Sequence, residues 1–159
     1  MGNLTSRVLV AAILLPLALL VLWLGSWWLV GLAVIVAVLA LHELWTMARE
    51  QRPVMIAGYV GAVAVVLAAE FHGVVGMLLV LAPVVLLTFI LAAASPHGDY
   101  SSLTSMAVTV FGVVWVGIGL GAVVVLRDSS FTLVLAVLLG TWGSDIGAYA
   151  IGRMIGRRK

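Results

Sequence analysis

A carboxylate, a phenol and a guanidinium follow one another at four-residue spacing near the C-terminal end of this sequence. They are Asp145, Tyr149 and Arg153, within the stretch TWGSDIGAYAIGRMIGRRK that covers residues 141–159. On a helix, positions i, i+4 and i+8 lie along one slowly drifting face. The spacing therefore predicts a polar edge that runs from Asp145 toward a terminal cluster of basic residues.

Asp145 lies among apolar residues, where an ionisable group is costly and usually faces a cavity or a pathway. A hard oxygen ligand beside basic groups suits Mg²⁺ that carries a phosphorylated substrate. A proton or cation pathway is the second physical option. The third is structural: Asp145 would pair with Arg153 two turns away and do no chemistry.

A stripe of small residues runs beside the polar edge, also at four-residue spacing: Ser144, Ala148, Gly152 and Gly156. Small residues allow another helix to approach closely. We therefore expect a packing seam here, and self-association of the chain, as a homodimer for example, if no other helix covers it.

The composition places these residues in a membrane. Hydrophobic residues make up 65% of the 159-residue chain, charged residues only 9%, and the mean hydropathy is +1.31. Soluble domains are about half apolar and one-quarter charged. The sequence predicts an all-α, polytopic membrane bundle.

Two classes of site are excluded or disfavoured by the same composition. The chain has no cysteine, which excludes disulfides and thiolate chemistry. The basic residues flank apolar runs and form no exposed stripe, so we predict membrane lipid, and no nucleic acid, as the partner of this chain.

About six apolar segments are long enough to cross a bilayer or nearly so. We predict one membrane domain, residues 1–159, with these spans: Val8–Leu24, Trp27–Met47, Val54–Ala69, Val74–Ala94, Leu103–Leu126 and Phe131–Ile151. The third is the shortest, and with Gly58 and Gly61 it could be tilted, interfacial or tightly paired with a neighbour.

Positive charge predicts the orientation, because Lys and Arg favour the cytoplasmic side of short loops. With six spans, one side holds seven of the eight basic residues and the other holds only Arg127. We expect a multi-pass protein of the cell inner (cytoplasmic) membrane with both ends cytoplasmic.

The terminal stretch resembles a known family. Residues 142–157 are similar to the W-x-x-D-x-x-A-Y-x-x-G-R-x-x-G-[KR] segment of phosphatidate cytidylyltransferases, also called CDP-diglyceride synthases. The beginning of the chain is also similar, with Arg7 before the first span, Pro16 inside it, and Glu43 and Trp45 near the end of the second.

The family's pattern continues beyond this match with a cytoplasmic I-S-P-K-K-T-x-E-G segment, further spans and a second Lys-, Asp- and Gly-rich signature. We therefore expect this chain to be the N-terminal part of a longer enzyme, truncated after Lys159 and inactive by itself.

The resemblance implies that CTP and phosphatidic acid give CDP-diacylglycerol and pyrophosphate, with Mg²⁺ or another divalent cation as cofactor. It implies Asp145 as catalytic metal ligand and Arg153 as catalytic phosphate contact. We predict Ser144, Tyr149, Arg157 and Lys159 as substrate-binding residues, of which Tyr149 and Arg157 stand at defined positions of the family pattern.

Three alternatives stay open on the sequence alone. A related CTP-dependent enzyme would act on polyprenol or archaeal lipids. A small multi-span transporter or ion-pathway subunit would use Asp145 to bind a proton or cation. A packing scaffold would bind no ligand.

Overall fold

The computed structural model describes residues 2–94 and 99–155, with side chains for residues 13–94, 102–149 and 151–153. These residues form helices and no strand, which confirms the all-α prediction for the described part. The α-helices are α1 (Gly2–Leu24), α2 (Ser26–Met47), α3 (Met55–Ala93), α4 (Asp99–Gly112), α5 (Gly119–Ser129) and α6 (Phe131–Ile155). A 3-10 turn, Arg49–Gln51, follows α2, and a π-helix, Val113–Ile118, joins α4 to α5.

Helix α3 is a hairpin of two segments. Its 39 residues would extend about 58 Å as one rod, about twice the thickness of a hydrocarbon core. Gly73 breaks it with φ 58° and ψ −147°, a conformation that glycine adopts without a steric penalty. The two halves then run antiparallel: a Cβ on Gly61 would come within 2.6 Å of Val84. The break separates the two spans predicted on either side of it.

Four helical stretches in the described residues are long and apolar enough to cross a membrane, and a shorter apolar helix, Ile13–Leu24, precedes them. The four are Ser26–Met47, Met55–Ala93, Ser102–Ser129 and Phe131–Arg153. With the hairpin counted as two segments, about six apolar segments are present, as predicted.

The bundle has two distinct ends. Trp27 packs edge-on against Phe71 at one end, with ring centroids 5.5 Å apart, and Trp45 packs against Tyr59 at the other, at 4.4 Å. We call the first the Arg127 end, formed by residues 22–27, 70–73 and 127–131. The second is the Arg52 end, formed by residues 42–59 and 105–109.

Close packing, more than hydrophobic transfer, holds such helices together, because lipid tails are as apolar as the side chains. Gly58 lies so near Trp45 that a Cβ would come within 2.3 Å of the indole ring. Gly117, in the π-helix, brings that segment onto Ala62, with 3.3 Å between its ideal Cβ and the Ala62 Cα. Of the alternatives for the third segment, the structure shows tight pairing through Gly58 and Gly61.

Hydroxyl groups join the turn after α2 to α4 at the Arg52 end. The Val54 N–H donates to the Thr109 hydroxyl at 2.8 Å, and that hydroxyl donates to the Ser105 carbonyl at 2.7 Å. The Ser105 hydroxyl in turn donates to the Arg52 carbonyl. Thr109 is fully buried, so this link lies inside the bundle.

At the opposite end, Arg127 connects α5 to α1 through hydrogen bonds. Its Nε donates to the Leu22 carbonyl at 2.6 Å and its Nη2 to the Trp23 carbonyl at 2.9 Å. The guanidinium also lies 5.3 Å from the centre of the Phe131 ring. Gly25, with φ 67°, leaves room for it: a Cβ there would be 2.9 Å from Nη2. Arg127 therefore satisfies carbonyls at the end of α1.

Candidate functional site

Helix α6 carries the polar edge away from the bundle core. It begins beside Arg127 and runs for 25 residues, about 37 Å, toward the opposite end of the bundle. Val134 near its start is almost fully buried. Farther along, nothing lies within 4 Å of a Cβ placed on Gly143, Gly147 or Gly152. Among the residues in the second half of α6 whose side chains are described, all except Gly147 are exposed.

The predicted polar edge is present on this exposed half. The Arg153 guanidinium donates to the Tyr149 hydroxyl at 3.3 Å, one turn apart. Asp145 is exposed one turn before Tyr149 and lies about 12 Å along the axis from Arg153. The guanidinium contacts the phenol and not the carboxylate, so the Asp145 oxygens have no partner among the described residues and are available to a ligand.

Ser144 and Ala148 are also exposed, on the adjoining face of α6. Ser144, Ala148 and Gly152 of the expected seam are therefore uncovered by the rest of the described chain, and Gly156 lies outside the described residues. Arg157 and Lys159, which were predicted to contact substrate, lie outside the described residues.

Arg153 also stabilises helix α6, in addition to any role in binding. It lies in the last turn of α6, where a cation interacts favourably with the negative end of the helix dipole. This favours a cationic residue at position 153 but does not engage all donors of the guanidinium, which can still meet a phosphate.

Metal binding would depend on Asp145 together with a substrate. The described residues contain no group of three or more His, Asp or Glu side chains able to hold a metal ion. Mg²⁺ is commonly bound by one or two carboxylates, several waters and substrate phosphates. Asp145, as one exposed carboxylate on the edge, therefore fits a metal shared with a nucleotide, and does not fit an all-protein cage.

An apolar cavity of about 190 Å³ lies beside the polar edge, between α1, α2, α5 and α6. Trp142, one turn before Asp145, is part of its wall, and the other lining side chains are aliphatic. The sequence does not predict this cavity, because hydropathy identifies apolar residues but does not indicate the distances between packed helices. The nearness of Trp142 to Asp145 was its only signal.

A model of the cytidylyltransferase family matches residues 5–159, from before the first predicted span to the end of the polar edge. The chain belongs to the cytidylyltransferase family. No curated protein and no solved structure matches this chain.

Membership in the cytidylyltransferase family gives the class of reaction. This is nucleotidyl transfer with CTP as a substrate. It favours the phosphate-binding interpretation of Asp145 and Arg153 over the transport and scaffold alternatives, since a triphosphate substrate needs cationic and metal-ligating groups.

Proposed function

We propose that this chain belongs to a CTP:phosphatidate cytidylyltransferase, which makes CDP-diacylglycerol and pyrophosphate for phospholipid synthesis. The observation that carries the proposal is the exposed edge formed by Asp145, Tyr149 and Arg153 on α6 of a cytidylyltransferase-family chain. Phosphatidic acid is a phosphomonoester held in a bilayer, and this edge lies on an apolar helix long enough to span one.

In this reaction a phosphate oxygen of phosphatidic acid attacks the α-phosphorus of CTP. A new P–O bond forms, the bond from the α-phosphorus to the bridging oxygen of the β-phosphate breaks, and pyrophosphate leaves with the bonding electrons. Both reactants are anions, so catalysis depends mainly on positioning and on offsetting their negative charge.

Each side chain of the edge has a chemical role in the proposal. Arg153 binds a phosphate through its planar fork of N–H donors. Tyr149 donates its phenolic hydrogen to a phosphate oxygen, and its contact with Arg153 orients both groups. Ser144 supplies a hydroxyl on the adjoining face, and Arg157 and Lys159 add positive charge farther along the chain.

Asp145 would hold the divalent cation, with water and triphosphate oxygens completing its ligands. When bound, Mg²⁺ supplies charge neutralisation for the triphosphate and the departing pyrophosphate. Asp145 would also keep the nucleotide at a fixed position along α6, about two turns from Arg153.

The position along the helix suits a lipid and a soluble nucleotide together. Arg153 lies about 33 Å along the axis from Phe131, and so near the opposite face of a hydrocarbon core about 30 Å thick. A lipid phosphate resides in that interfacial layer, and CTP reaches it from the aqueous side. We propose that this side is the cytoplasm and that the membrane is the inner one.

Replacement of Asp145 by Asn tests the function. In membranes that contain the full natural protein, Asp145→Asn should lower kcat/KM for transfer from CTP to phosphatidic acid by about 100-fold or more, as expected when a group that stabilises transition-state charge is removed. Formation of labelled CDP-lipid from labelled CTP, with Mg²⁺ varied, measures it.

Asp128→Asn is the matched control, because Asp128 is an exposed carboxylate at the Arg127 end. It should leave the rate unchanged. Wild-type activity in Asp145→Asn would contradict the assigned role. Transfer to a polyprenyl phosphate, with none to phosphatidic acid, would replace the proposed substrate by the related lipid class.

A further inference from the structure

The apolar cavity between α1, α2, α5 and α6 extends from the Arg127 end into the bundle. Leu22, on its wall, accepts a hydrogen bond from Arg127 through its carbonyl. The deepest lining residues, Val36 of α2 and Trp142 of α6, lie about 15 to 17 Å along their helices from the helix starts at this end. Half a hydrocarbon core is about 15 Å thick. The cavity therefore matches the depth of the acyl chains in the leaflet at the Arg127 end.

The walls of the cavity favour hydrocarbon. Among the described lining residues only Trp142 has a polar side-chain atom, and burial of a polar group without a hydrogen-bond partner is costly. The volume, about 190 Å³, exceeds that of engineered apolar cavities of about 150 Å³ that bind benzene. Val36 keeps 39% of its surface exposed and Trp142 is also partly exposed, so a hydrocarbon chain can enter sideways from the bilayer.

Arg127 lies at the level of the membrane interface, where lipid phosphates reside. Three tryptophans at or beside this end are exposed, as in the aromatic belts of membrane proteins: Trp23, Trp27 and Trp28. Arg127 donates to the Trp23 carbonyl through Nη2 and to the Leu22 carbonyl through Nε, and its Nη1 has no partner among the described residues. The guanidinium therefore has donors left for a phosphate oxygen.

The charges at this end favour a zwitterionic headgroup. Arg127 is accompanied by two carboxylates, the exposed Asp128 and Glu70. One oxygen of Glu70 is buried and has no hydrogen-bond partner in the described chain. Two acidic groups beside one cation disfavour an anionic lipid, and they suit a phosphodiester whose headgroup carries an ammonium, as in phosphatidylethanolamine.

We propose that this cavity holds one acyl chain of a zwitterionic phospholipid from the leaflet at the Arg127 end, with the phosphate of that lipid on the Arg127 guanidinium. This lipid is a structural component and not the substrate, because Arg153 lies about 33 Å along α6 from Phe131, near the opposite face of the hydrocarbon core. Its chain fills the space between α1 and α6. The inference goes beyond the proposed reaction and does not depend on it.

Photo-crosslinking tests where the lipid binds. The natural protein in phosphatidylglycerol vesicles receives a small amount of phosphatidylethanolamine with a diazirine near the end of one acyl chain, and labelled residues are mapped by mass spectrometry. Labelling should concentrate on the deep cavity residues Val36 and Trp142. Excess unlabelled phosphatidylethanolamine should suppress it, and the same excess of phosphatidic acid should not.

Leu138→Trp fills the cavity and should lower the specific labelling about tenfold, comparable to about two methylene groups losing their burial. Leu139→Trp is the matched control, since Leu139 is 60% exposed and does not line the cavity. It should retain wild-type labelling. Thermal melting of both variants identifies any misfolding, and Val36→Phe, which narrows the cavity at a partly exposed position, provides a second filled variant.

A stability measurement provides an independent readout. A ligand that binds only the folded protein raises its melting temperature. Phosphatidylethanolamine added to the delipidated protein in detergent should therefore raise the melting temperature of the wild type and of Leu139→Trp, and should have little effect on Leu138→Trp.

Labelling that spreads over the lipid-facing residues and is equal in Leu138→Trp would mean general bilayer contact and would overturn the inference. Suppression by phosphatidic acid would assign the cavity to the substrate lipid and would overturn it as well. CDP-lipid formation, followed in the same vesicles, keeps the two proposals separate. Its absence would contradict only the proposed reaction.

Discussion

Thr109 connects two parts of the bundle through one buried hydroxyl. It accepts from the Val54 N–H and donates to the Ser105 carbonyl. Thr109→Val keeps the volume but leaves the Val54 N–H without its partner. We expect the free energy of unfolding to fall by about 1 to 2 kcal/mol, as measured by denaturant titration in detergent.

The control for this substitution is Thr88→Val. Thr88 is equally buried, but its hydroxyl only donates to the Val84 carbonyl of its own helix. Its loss leaves no backbone donor unpaired, so the change in stability should be much smaller. Equal losses in both variants would contradict the importance of the Val54 contact.

For individual residues, the sequence predicted part of the candidate site. The spacing of Tyr149 and Arg153 predicted a shared face, and their side chains do meet. The link from Val54 to Thr109 could not be predicted, because these residues are 55 positions apart and no local pattern joins them. The roles of Ser144, Asp145, Arg157 and Lys159 remain predictions, and Asp145→Asn tests that of the carboxylate.

Among the four membrane-length stretches of the described residues, the one in α6 is the least covered. Only 6% of its most apolar stretch is buried within the chain, against 33% for α2. Lipid can cover apolar residues, but the small residues on the stripe of Ser144, Ala148 and Gly152 favour a second helix.

We expect the chain to pair with a second copy through this stripe. The protein has no cysteine, so Ala148→Cys introduces a single reactive thiol. Mild oxidation in membranes should give a disulfide-linked dimer. Ile146→Cys, an exposed position on the opposite face of α6, should give much less. A monomer from both variants would indicate that the stripe faces lipid or another partner.

The elements show where hydropathy is informative and where it is not. Apolar runs and their boundaries predicted α2, α6 and the two halves of α3 within a few residues, whereas α1 begins six residues before the predicted Val8. The π-helix Val113–Ile118 was not predicted, because a change of hydrogen-bond register leaves hydropathy unaltered. Because hydropathy does not show this change, the apolar run of residues 103–126 predicts one regular helix.

For the molecule as a whole, the two ends of the bundle differ in charge. Arg49 and Arg52 follow α2 at one end, and Arg127 lies at the other. Because basic loops stay in the cytoplasm, we predict that the Arg52 end is cytoplasmic.

Single thiols test this orientation. Glu50→Cys and Ser129→Cys place exposed cysteines at opposite ends. A membrane-impermeant maleimide added to intact cells should label Ser129→Cys and leave Glu50→Cys unmodified until the membrane is opened. The reverse pattern would invert the topology and place the polar edge of α6 outside.

The hydrogen bonds from Arg127 to α1 also bear on the order in which the protein is synthesised and folds. The carbonyls of Leu22 and Trp23 receive their donors from a residue 104 to 105 positions later in the chain. At a synthesis rate of about 5 to 20 residues per second, roughly 5 to 20 s pass between the synthesis of α1 and that of Arg127. During this interval the end of α1 depends on interfacial water or on the insertion machinery for its hydrogen bonds. Slower translation before codon 127 should therefore prolong the time during which membrane proteases can cleave nascent α1.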